Sequence, residues 1–144
     1  MAKPAPQTVI QGGRAKAYRP LPEADRRQAF DAALAAYDRG DFFLTHELLE
    51  PAWMGTDDLP ERELYQGLIK LAAAFVHGVR GNPPGIARNL EGARERLAAA
   101  QLAEMTGGLD LADLLAAIDD RLAQLAANAE ASPIDPPILR RTTR

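Results

Sequence analysis

Apolar residues recur through most of this chain at the i, i+3, i+4 spacing that gathers them on one face of an α-helix. The first stripe is Phe30, Ala33, Leu34 and Tyr37, in a helix predicted from about Pro22 to Arg39 and ended by Gly40. Asp41 is placed to cap a second helix that continues to about Met54, where Gly55 stops it. A third begins after Asp58, carries Pro60 in its first turn, and runs to about Arg80 before Gly81. Its Leu64, Leu68, Ile69, Leu71, Phe75, Val76 and Val79, with alanines between them, leave hardly any polar face, the mark of a central helix wrapped by its neighbours. Gly67, Ala72, Ala73 and Ala74 would let those neighbours come close, although a mid-helix glycine costs about 1 kcal/mol relative to alanine. Pro83 and Pro84 open a fourth helix with the stripe Ile86, Leu90, Ala93 and Leu97. The fifth, from near Asp110, has the cleanest pattern: Leu111, Leu114, Leu115, Ile118, Leu122 and Leu125. No strand pattern competes, and the short connections predict an all-α compact array or bundle of about five helices around the central apolar one.

The ends of the chain lack this periodicity. Residues 1–20 hold Pro4, Pro6, Gly12, Gly13 and Pro20, and residues 131–144 hold Pro133, Pro136 and Pro137, so both are expected to be disordered or loosely attached tails around a single helical domain over 21–130. Both tails are basic. Subtracting them from the net charge of −3 leaves ten basic against nineteen acidic residues in 21–130, a body of about −9 that repels phosphate backbones and argues against nucleic acid as a partner. With no cysteine, disulfides and thiolate chemistry are excluded. No run of about 18 apolar residues predicts a membrane span, the start lacks a signal-peptide apolar block, and the protein is read as cytoplasmic by default. The oligomeric state is left open, since a stripe on the first or fifth helix would suit a partner.

Candidate chemistry concentrates between Phe42 and Trp53. At about 100° per residue, Phe42, Phe43, His46, Leu49, Glu50 and Trp53 fall within an arc of roughly 120°. Since four of the six are large and apolar, that arc is expected to face inward and to carry His46 and Glu50 with it, with Glu47 at its edge. On the third helix Gln66, Lys70, Ala73 and His77 form a narrow, mostly polar stripe. If this stripe faces the second helix, His46, Glu47, Glu50, Gln66, Lys70 and His77 would line one polar channel. Three readings compete. One is a buried network that only fixes helix register, in a helical interaction module without catalysis, with Glu50 bonded to His46 or Lys70. Another is a small-ligand or acid–base site, with His46, Glu47 and Glu50 as catalytic groups and Trp53, Gln66, Lys70 and His77 binding the ligand. The third is a divalent metal site, because histidine and glutamate one turn apart can ligate one ion. His46-Glu47-Leu48-Leu49-Glu50 is close to the zinc-protease H-E-x-x-H motif but lacks its second histidine, and Pro51 is expected to bend or break the helix just beyond.

Other chemistries find no support: phosphate-binding glycine loops are absent, and the one serine, Ser132, lies in a tail. Arg88, Arg94 and Arg96 alternating with Glu91 and Glu95 read as a solvated face.

The two motifs together resemble a known family, catalogued as domain of unknown function 309. Its second helix reads roughly aromatic-aromatic-x-x-H-E-x-L-E-x-x-W, matched here by Phe42 to Trp53, and its central helix Q-G-L-I-x-x-A-A-A-x-x-H, matched by Gln66 to His77 and followed by Gly81-Asn82. The resemblance covers about residues 27–100. It implies a compact all-α array and no activity, and it makes His46, Glu47, Glu50, Trp53, Gln66 and His77 signature positions. Lys70 departs from the pattern, standing where an uncharged residue is common; a lysine there is expected to neutralise Glu50.

Overall fold

The computed structural model describes residues 8–79, 83–127 and 134–142, with 77–79 as backbone only. Its elements are β1 (Thr8–Gln11), β2 (Arg14–Ala17), α1 (Glu23–Asp38), α2 (Phe42–Met54), α3 (Leu59–Val79), α4 (Pro83–Leu102) and α5 (Leu111–Ala127). The helices lie where the apolar periodicity places them. Gly40, at φ +81°, ends α1, and the Asp41 carboxylate accepts from the Leu44 N–H as the N-cap of α2. Asp58 does the same for α3 by accepting from the Glu61 N–H. Pro51 does not break α2: it sits in the last turn, and the helix continues to Met54.

The central helix is α3. It packs on α2 along one side and on α4 along the other, burying Leu64, Leu68, Leu71, Ala72, Ala74 and Phe75. Gly67 is what allows the second contact, because a Cβ there would lie 2.7 Å from Leu97 Cγ on α4. Leu90, Ala93 and Leu97 of α4, with Leu111, Leu114 and Ile118 of α5, complete the core. No helix among the described residues is long and apolar enough to cross a membrane.

Both ends depart from the expected loose tails wherever they are described. Residues 8–17 form an antiparallel hairpin with Gln11 opposite Arg14. Gly12 and Gly13, at φ +60° and +77°, supply the two left-handed positions of a tight hairpin turn that closes four-residue strands too short to display alternation. At the other end, 134–142 runs extended along the body. The Tyr37 hydroxyl donates to the Pro137 carbonyl at 2.6 Å, the Asp110 N–H to the Arg140 carbonyl and the Thr142 N–H to the Gly108 carbonyl, and Leu139 is buried. The prolines forbid a regular element there, as expected, but not docking.

Candidate functional site

The face that α2 turns inward is set by its smallest residues. Thr45, Leu49 and Ala52 are buried, and the Thr45 hydroxyl donates to the Ala33 carbonyl of α1 at 3.3 Å. The inward side is therefore rotated from the arc that angle counting selects: of that arc Leu49 is fully buried and Phe42 and Trp53 pack on the edge of the core, while the rest turns outward. Phe42 packs partly against Tyr37 and Phe75, but Phe43 is 64% exposed. His46 and Glu50 share its side of the helix and turn toward solvent.

The trio is brought together as the spacing requires. His46 Nδ1 lies 3.2 Å from Glu47 Oε1, and Nε2 lies 3.8 Å from Glu50 Oε2. One ligand atom from each residue falls within 4.8 Å of those of the other two. Their side chains are 34%, 53% and 43% exposed, in the order His46, Glu47, Glu50. Their hydrogen bonds and ion pairs stay inside the trio. Among the described residues Glu50 is not paired with Lys70, and no buried network includes His46.

The expected channel between α2 and α3 does not form among the described residues, because the polar stripe of α3 divides. Lys70 faces α4, its Cδ packed so closely over Gly92 that a Cβ there would lie 2.8 Å away. Gln66 faces the hairpin. The side chain of His77 lies outside the described residues. Two hollows lie away from the trio: one of about 250 Å³ beside α1 and α3 is lined by Arg27, Phe30, Glu61 and Tyr65, and an apolar groove of about 760 Å³ lies between α4 and α5.

A buried polar network does exist, built around residues the sequence reading passes over. Arg62 is fully buried. Its Nε donates to Gln11 Oε1 at 3.1 Å, one terminal nitrogen to the carbonyls of Trp53 and Thr56 at 3.0 and 2.9 Å, and the other to the Ala17 carbonyl at 3.4 Å. The guanidinium also stacks over the Trp53 ring, 5.1 Å from its centroid. Burial pulls the Arg62 pKa below its ordinary value, against the opposing pull of Asp57 and Glu63. Gln11, 3% exposed, is the hub: Trp53 Nε1 also donates to its Oε1 at 3.0 Å, and its Nε2 donates to Glu63 Oε1 at 2.8 Å and Gln66 Oε1 at 2.7 Å. Arg96 closes the ring by donating to both Glu63 oxygens, so it is not merely part of a solvated face. Two of the expected ligand-binding residues, Trp53 and Gln66, thus meet in one place, though not beside His46. Arg62 sits in the polar first turns of α3, where one arginine among Glu61 and Glu63 looks solvated; only the Gly12-Gly13 turn hints that a strand returns to cover it.

A second polar knot ties α1 to α3. Glu61 accepts from Arg26 Nε at 2.6 Å, the Tyr65 hydroxyl at 2.8 Å and the Thr56 hydroxyl at 3.2 Å. Burial first, and then its bond to Glu61, hold the Tyr65 hydroxyl well above the usual tyrosine range.

No curated protein matches this sequence. Residues 30–89, from the later part of α1 through α2 and α3 into α4, match the family model described as Domain of unknown function (DUF309), which supports the resemblance to that family.

Proposed function

We propose that the protein binds a divalent transition-metal cation on the outward face of α2, with His46 and Glu50 as the ligand pair and Glu47 as a third donor. The observation carrying this reading is that the three groups converge within 4.8 Å while forming no bond to another helix. A polar cluster that holds a fold together spans elements; this one is confined to a single turn, and its side chains are a third to a half exposed. The 3.8 Å between His46 Nε2 and Glu50 Oε2 is within a few tenths of an ångström of the separation two ligands at about 2.1 Å adopt around one ion. One imidazole with carboxylates suits zinc, manganese or iron(II). So few protein ligands leave coordination positions for water and a small ligand, the arrangement from which acid–base or hydrolytic chemistry is drawn. Calorimetric titration with zinc and manganese chlorides tests it. One ion should bind per chain, and His46→Ala and Glu50→Gln should each weaken binding at least about tenfold. Equal binding by wild type and His46→Ala would overturn it.

A second reading, docking of a protein partner on the same face, rests on Phe43, whose exposed ring adjoins the trio. A Phe43→Ser variant that keeps metal binding but loses capture of a partner would favour it.

A further inference from the structure

The surroundings of Gln11 satisfy every hydrogen-bonding position of a primary carboxamide. Its oxygen accepts two bonds, from Trp53 Nε1 and Arg62 Nε, and its nitrogen donates two, to Glu63 Oε1 and Gln66 Oε1. All four partners belong to α2 and α3, and the amide alone comes from the hairpin. The hairpin has little else to hold it. Gln11 is its one buried residue; Thr8, Ile10, Gly12, Gly13, Arg14, Ala15 and Ala17 are exposed, and the Arg62 bond to the Ala17 carbonyl is the longest that Arg62 makes. Two four-residue strands are marginal by themselves. The connection back to the body is secured beyond the hairpin, where the Arg19 and Leu21 N–H groups donate to the Met54 and Gly55 carbonyls. The bonds that anchor the chain to the helical array at Arg19 and Leu21 thus do not depend on residues 8–17.

We propose that Trp53, Arg62, Glu63 and Gln66 form a binding site for a primary carboxamide on a flexible chain, a glutamine-type small molecule, and that Gln11 is an intramolecular plug that such a ligand displaces. The donor and acceptor halves of the site fix its selectivity. A carboxylate isostere would set an oxygen against the Glu63 carboxylate, and an N-alkylated amide would lose one of the two bonds and add bulk where Gln66 sits. A tethered plug competes at an effective concentration of about millimolar, so the intact chain takes up external amide only weakly until the hairpin is released. This site lies apart from the α2 trio and does not depend on metal.

Trp53 is the only tryptophan and bonds the plug directly, so its fluorescence reports the site. The probe is N-acetylglutamine N-methylamide, whose side chain is its one primary amide, with free glutamine as a second arm and the glutamate counterpart as control. In Gln11→Ala, emission should change saturably with the probe, at an affinity at least about tenfold above wild type, and should not respond to the control. Tighter binding of free glutamine than of the blocked probe would assign the ligand to the free amino acid rather than to a peptide-like amide. A Gln11→Ala protein with native circular dichroism and no saturable response overturns the proposal. Should that variant not fold, hydrogen exchange of the wild type decides. Faster exchange over residues 8–17 with the glutamine probe, and not with the glutamate one, supports displacement; unchanged exchange overturns it.

Discussion

Replacing Arg62 by methionine removes a buried charge, which alone would help, yet the balance runs the other way. The two carbonyls served by its first terminal nitrogen, of Trp53 and Thr56, are at the C-terminal end of α2 and in the turn beyond, where helical carbonyls lack intrahelical partners. The guanidinium there acts as a cap brought from α3, with a charge favourable to the dipole of α2. Methionine fills the volume and ends the desolvation cost of the cation, but leaves those two acceptors unpaired and Gln11 Oε1 with Trp53 alone. An unpaired buried acceptor costs about 1–3 kcal/mol. Two such losses, less the relief from removing the charge, predict a destabilisation of about 3 kcal/mol. Arg62→Lys should lose about half as much, since an ammonium keeps the charge but cannot span the fork of Gln11, Trp53 and Thr56. Urea unfolding followed by circular dichroism measures both, with Trp53 fluorescence as a second probe. Methionine matching or exceeding the wild type would show that the arginine is merely tolerated and that the carbonyls find other partners.

Three further outcomes are expected. Gly67→Ala should gain about 1 kcal/mol of helix propensity and lose more to the clash with Leu97, for a net destabilisation of about 1–2 kcal/mol by denaturant titration; a net gain would mean that α4 shifts freely. His46→Ala and Glu50→Gln should each change stability by less than about 0.5 kcal/mol, because the exposed trio bonds to no other element. Tyr37 and Tyr65 have pKa values raised in the fold, chiefly by burial, so they stay protonated when the unfolded chain has lost those protons. The stability they contribute is intact below about pH 10 and falls as pH rises beyond it; Tyr37→Phe should flatten that alkaline loss and cost about 1 kcal/mol at neutral pH through the bond to Pro137.

The helices were legible because their signal is local. Stripes such as Ile86, Leu90, Ala93 and Leu97 need only their own periodicity, and all four are buried. Gly40, Asp41 and Asp58 act within a few residues of themselves. The orientation of α2 was not legible, since it depends on how near α1 and α3 approach. Angle counting places Leu49 inward correctly but centres the inward side on the bulkiest residues, whereas close packing adds Thr45 and Ala52 and leaves Phe43 outside. The buried network was invisible for a related reason. Gln11 and Arg62 are 51 residues apart, and neither carries a local sign of burial. The meeting of His46, Glu47 and Glu50 could be read, being a matter of one helical turn; their exposure could not.

The two polar clusters separate by what their bonds connect. Gln11, Trp53, Arg62, Glu63, Gln66 and Arg96 come from β1, α2, α3 and α4, so each bond restrains one element against another. Such a network can fix register, and its members should be costly to remove. His46, Glu47 and Glu50 restrain nothing beyond α2. Their bonds tie no other element to α2, and this is the physical reason to look for an external partner there. Gln11 belongs to both descriptions at once. Its amide is bound as a structural group is, with all four positions satisfied, yet it arrives on the least supported segment of the described chain. The deciding measurement is therefore the hairpin's own opening free energy by native-state hydrogen exchange. If residues 8–17 open well below the energy of global unfolding, the site behind Gln11 is accessible in the folded protein. If they open only with the core, the plug is a structural part of the fold and no ligand can reach what it covers.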